Sequence, residues 1–155
     1  MQIKLYLGQM PLHPDRPLIL ASGAAKGFPH LIAQATLPNG KIVRSQTTLL
    51  PMWAIKDEMP DKQKLAVITD AAKHFADTAA KSFHELETLS PREYYRRFLK
   101  PELMRYSSGK PRALPIAMGL TAIDLLAHAV NAEMRGGSTV VEQLKKDPAY
   151  KKLFL

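Results

Sequence analysis

No cysteine occurs among the 155 residues, which excludes disulfide staples, thiolate zinc sites, iron–sulfur clusters and a cysteine nucleophile together. Any metal site would have to be assembled from His, Asp and Glu. The phosphate-cradling Gly-x-x-x-x-Gly-Lys loop, the dinucleotide Gly-x-Gly-x-x-Gly turn and the Gly-x-Ser-x-Gly nucleophile elbow are all missing as well, so the common nucleotide-binding and hydrolase signatures fail. Glu85 and Glu87 are two residues apart on a helical stretch and point to different sides, so no paired acid–base arrangement can be read from spacing. The sequence gives no positive support to an enzyme or to a bound cofactor.

Long apolar runs are also scarce. The longest, Ile116 to Val130, is interrupted by Asp124 and His128 and falls short of the roughly 20 residues that span a bilayer. The first residues, Met1 to Gly8, alternate polar and apolar side chains where a secretory leader would have a basic stretch and then an apolar run. These readings predict no membrane role and, with the missing cysteine, a reducing cytoplasmic setting.

What is present is ordinary for a folded domain: 46% hydrophobic and 23% charged residues in a length suited to one domain, 1–155,. The expected fold class is α+β. It comprises an N-terminal antiparallel sheet of about four strands, with residues 1–50 mainly strand, packed on about four helices, with residues 61–155 mainly helical. Ile3, Leu5 and Leu7 alternate with polar neighbours as a half-buried strand does, and Pro17 to Ala21 forms a short apolar run. His30 to Leu37 and Lys41 to Leu50 flank Pro38-Asn39-Gly40. Asn-Gly there predicts a two-residue type I′ hairpin, which would set Leu37 opposite Ile42 and Thr36 opposite Val43. In that register neither sheet face is cleanly apolar.

After Pro51-Met52-Trp53 the period changes. Leu65, Ile68, Ala72, Phe75, Ala79, Phe83 and Leu86 recur at steps of three and four, the stripe of an amphipathic helix over roughly 62–88. Ser90-Pro91-Arg92-Glu93 reads as a capping-box start for a second helix, expected to stop or kink near Lys100 because Pro101 lacks an amide hydrogen. A third helix runs from Pro115 to about Arg135, with only Thr121, Asp124, His128, Asn131 and Arg135 polar along it, which predicts the central buried helix. Gly136-Gly137 stop it, and Ser138 or Thr139 caps a short last helix.

Two polar helix stripes could carry chemistry. Asp124 and His128, four residues apart, suit a carboxylate-oriented imidazole, and equally suit a hydrogen-bonded polar edge on a buried helix. Asp70, His74, Asp77 and Lys81 have the spacing of a metal-binding helix face, but one helix seldom supplies three or four convergent ligands. No metal is expected. The nine residues Gly136 to Leu144 resemble the Gly-Gly-Ser-Thr segment of peptidoglycan glycosyltransferases. That family carries an upstream Glu-Asp-x-x-Phe-x-x-His-x-Gly motif, which this sequence replaces with Glu102-Leu103 and no histidine, and a capped helix accounts for the same nine residues. The resemblance therefore assigns no activity.

Charge supplies the leading functional expectation. The chain carries 22 Lys and Arg against 14 Asp and Glu, net +8, and residues 91–112 alone hold seven cationic and two acidic side chains. Arg92, Arg96, Arg97, Lys100, Arg105, Tyr106, Lys110 and Arg112 form a basic, tyrosine-containing segment suited to phosphate neutralisation, with tyrosines available to stack on bases. The plainer reading packs Tyr94, Tyr95, Phe98 and Leu99 on the core and leaves the cations in water. These features predict a non-enzymatic, nucleic-acid-associated accessory module. The alternative is a protein assembly subunit, or a self-associating one, that docks through the sheet face or the apolar tail of Tyr150, Leu153, Phe154 and Leu155. An enzyme built on Asp124 and His128 ranks third.

Overall fold

The computed structural model describes residues 1–11, 18–20, 23–25, 27–49, 60–109, 114–136 and 148. Strands β1 (Gln2–Pro11), β4 (Gly27–Thr36) and β5 (Ile42–Thr48) form an antiparallel sheet of order β1-β4-β5. The apolar run expected as a fourth strand of that sheet instead forms β2 (Leu18–Leu20), paired with β3 (Gly23–Ala25) as a separate two-stranded ribbon. Both lie between the two long strands of the β1–β4 hairpin.

The β4–β5 connection corrects the predicted turn. Gly40 has φ 84° and among the described residues none other than glycine has positive φ, whereas a type I′ turn needs two such positions. Leu37 and Gly40 close a tight turn, with Gly40 N–H donating to the Leu37 carbonyl at 2.9 Å and Leu37 N–H to the Lys41 carbonyl at 2.9 Å. Pro38 pre-sets the first central position of such a turn, so the loop is three residues long with Gly40 in the left-handed position. The register moves by one: Thr36 faces Ile42 and Ala35 faces Val43. One face is consequently small and apolar. Leu31, Ala33, Ala35 and Leu37 are buried there, as are Thr47 of β5 and Leu49 just beyond its end.

Helix α1 (Asp61–Ser82) tightens into a 3-10 turn (Phe83–Glu87). The predicted stripe is its buried face: Ile68, Ala72, Phe75, Ala79, Phe83 and Leu86 are in the core, the two phenylalanines contributing about 1.5–3 kcal/mol each by burial. The capping box forms as expected, with Ser90 Oγ accepting from Glu93 N–H at 3.2 Å and Glu93 Oε2 from Ser90 N–H at 3.1 Å. The helix it starts does not stop at Pro101. An α-turn (Pro91–Tyr94), a π-turn (Tyr95–Leu99) and a further α-segment (Lys100–Ser107) run on as one rod, α2, over 91–107. In the π-turn Lys100 N–H reaches back to the Tyr95 carbonyl, and this wider turn just before Pro101 makes room for a ring that would crowd an α-helical carbonyl.

Helix α3 (Leu114–Met134) is the central helix, burying Ile116, Leu120, Ile123, Leu126 and Val130 between α1 and the sheet. At 21 residues it is long and apolar enough by composition to cross a bilayer, which the shorter run counted from sequence did not suggest, yet 56% of its most apolar window is buried within the fold. Gly119 sits where α3 crosses α1: a Cβ there would meet Ile68 O at 2.6 Å and Ala72 N at 2.8 Å. Three helices on a three-stranded sheet, α+β, is the described architecture. The Pro51-Met52-Trp53 stretch, the short last helix capped at Ser138 or Thr139, and all of the glycosyltransferase-like residues except Gly136 lie outside the described residues.

Candidate nucleic-acid interface

Helix α2 packs on α1, α3 and the 3-10 turn, and turns most of its apolar side chains toward them. Tyr94 and Leu99 are buried, and Tyr95, Phe98, Leu103 and Tyr106 pack partly buried against the core. The tyrosines are therefore structural. Tyr94 stacks on Phe98 with centroids 5.1 Å apart and meets Phe83 edge-on at 5.4 Å. Burial pushes its phenol up to about 12,.

Tyr106 lies against the rings of His74 and Phe75, 4.7 and 5.8 Å away. Its hydroxyl donates to Asp70, and burial together with that bond and the Asp70 charge raises its phenol to about 12. Its ring is thus engaged by α1. His74 Nε2 stands 3.1 Å from Glu102 Oε2. The helix stripe considered for metal binding is in this way an α1–α2 contact, and the described residues contain no group of three metal-binding side chains.

The other face of α2 is cationic. Arg92, Arg96, Arg97, Lys100 and Arg105 are all exposed. Both acids on the helix are occupied. Glu93 closes the capping box, and the Ser90 amide, then the Ser90 hydroxyl, hold its carboxyl below the ordinary value, with Arg97 and Arg135 adding to the effect. Glu102 meets His74 and, at 2.8 Å, Arg105. Among the described residues Arg92, Arg96 and Lys100 have no ion-pair partner. Two of the predicted contact residues are already matched to carboxylates, Arg105 to Glu102 and Tyr106 to Asp70; Lys110 and Arg112 lie outside the described residues, as do Tyr150, Leu153, Phe154 and Leu155.

No hydrogen bond or ion pair joins Asp124 and His128, and His128 is exposed. Partial burial raises the Asp124 carboxyl, which the nearby His128 only partly offsets. The rest of that stripe is structural: Asn131 Nδ2 donates to the Leu86 and Leu89 carbonyls at 2.8 and 3.0 Å, and Arg135 to the Thr88 carbonyl at 3.1 Å. These bonds hold the start of α2 against the end of α3.

Sequence reasoning missed one feature, a cavity of about 510 Å³ lined by Ile3, Leu5, Leu7, Leu31, Lys73 and Asp77 among others. It opens beside β1, and the alternation of Ile3, Leu5 and Leu7 was the signal for its floor. No protein-family model, no curated protein and no solved structure matches this chain.

Proposed function

We propose that the protein is a non-enzymatic nucleic-acid-binding module that holds the phosphate backbone on the outer face of α2. The supporting observation is the helix face itself: four exposed cations, Arg92, Arg96, Arg97 and Lys100, on one rod whose own acids are engaged elsewhere. Lys and Arg on such a ridge release counterions from a polyanion. Because the helix's tyrosines are packed inward, the contact is to phosphate and is indifferent to base sequence. A rigid helix anchored by two buried side chains presents the cations without ordering cost beyond their own rotamers.

The test is fluorescence anisotropy with labelled duplex DNA and with RNA of the same sequence. Arg92→Glu/Arg96→Glu/Lys100→Glu is expected to weaken binding at least about tenfold with an unchanged thermal melt. Reversing Lys62 and Lys81 on α1, both exposed, is expected to weaken it less. Equal losses from the two variants would overturn the assignment to α2.

A further inference from the structure

β1 is an edge of the sheet: among the described residues it pairs with β4 and with nothing on its other side. Natural proteins blunt such edges with charges, proline or a bulge, because the unpaired amides and carbonyls template another strand. Over Gln2 to Gly8 this edge has one charge, Lys4, no proline, and an unbroken residue-for-residue register with β4. Its inner row, Ile3, Leu5 and Leu7, floors the 510 Å³ cavity, which is closed on the other side by Thr69, Lys73, Ala76 and Asp77 of α1. Leu7 is 48% exposed. A strand edge next to an apolar groove and a helix is the arrangement that accepts an added strand, backbone to backbone, with alternate side chains entering the groove.

We infer that the added strand is β1 of a second copy, giving a two-fold dimer with a continuous six-stranded sheet. Charge and pattern select this occupant and its register. An antiparallel self-pairing centred on Lys4 would set the two Lys4 cations against each other. Centred on Leu5, the strand is complementary to itself: Ile3 faces the partner's Leu7, Leu5 faces its own copy, and each Lys4 faces a neutral Tyr6. The helix wall of the groove carries one cation and one anion, Lys73 and Asp77. The groove wall therefore adds no net charge between the two copies.

Association needs no nucleic acid, so it is measured without it and stands or falls apart from the α2 proposal. Salt also acts in opposite directions: screening the like-charged copies tightens the dimer, whereas it loosens polyanion binding. Sedimentation equilibrium across a concentration series is expected to give masses rising from 17.3 kDa toward twice that value. Leu7→Lys, an inward charge on the edge, is expected to raise the dimer dissociation constant about tenfold or more with an unchanged circular dichroism melt. Register is read by oxidative cross-linking, which this cysteine-free chain allows cleanly. Opposed residues of an antiparallel pair lie about 4.5–5.5 Å apart at Cα, within disulfide reach. Lys4→Cys mixed with Tyr6→Cys should cross-link, and Lys4→Cys alone should not. A single-chain mass at every concentration, a dimer indifferent to Leu7→Lys, or equal cross-linking by Lys4→Cys alone would each overturn the inference.

Discussion

Tyr94 and Ser82 form a buried hydrogen bond with a fixed direction. Their oxygens are 2.6 Å apart, and Ser82 Oγ lies 2.7 Å from the Thr78 carbonyl, which can only accept. The serine has one proton and directs it to that carbonyl, so the phenol is the donor. This bond fastens α2 to α1 at the point where α1 tightens into its 3-10 turn, and it sets the height at which the cationic face stands.

The direction makes the two partners unequal. Ser82→Ala leaves the Tyr94 hydroxyl buried without an acceptor and should cost about 1–3 kcal/mol, whereas Tyr94→Phe removes the donor, leaves Ser82 bonded to Thr78, and should cost about 0.5–1.5 kcal/mol. Urea denaturation of the two variants checks the order. A larger loss in Tyr94→Phe would contradict the assignment.

Gly119→Ala should be among the most damaging single-atom additions in the chain. The new Cβ would meet backbone atoms of α1 at 2.6 and 2.8 Å, and backbone cannot swing aside as a side chain can. Separation of α1 and α3 is expected to cost about 1–3 kcal/mol, lowering the melting temperature by about 2–4 °C for each kcal/mol in a chain of this size. Calorimetry would show this directly.

Asp124 predicts a pH dependence with a definite sign. Partial burial raises its carboxyl above the ordinary value of 3.8, so the folded state binds this proton more tightly than the unfolded chain does. The stabilisation is present in full below pH 3.8 and is lost as pH rises through the raised value. At neutral pH, Asp124→Asn should therefore melt higher than the parent. The gap between the two should close as pH falls through the raised value toward 3.8. An Asn variant that melts lower at pH 7 would show that the charge is favourably held.

The helical half was legible from periodicity because Ile68, Phe75, Phe83 and Leu86 are buried by the same face that the spacing defines. Ser90 and Glu93 announced α2 through reciprocal bonds that involve only neighbours. Two local rules were overridden. At Pro38-Asn39-Gly40 the proline chose a three-residue loop over the Asn-Gly turn, and that one-residue difference moved every β5 side chain to the other face. At Pro101 a π-turn let the helix continue, with Tyr94 and Leu99 packed below it. The basic face of α2 was visible in composition. That its tyrosines point inward was not, since aromatic and cationic residues alternate there with equal claims to solvent. The groove beside β1 depends on α1 and the sheet edge meeting, which no local pattern encodes.

The dependence of nucleic-acid affinity on salt tests the central claim most directly. Four phosphate contacts from Arg92, Arg96, Arg97 and Lys100 predict that the logarithm of the binding constant for duplex DNA falls against the logarithm of salt concentration with a slope of about −3 to −4, and that replacing any one with Gln reduces the slope by about one. A slope near zero, or a slope that the four substitutions leave unchanged, would contradict the account.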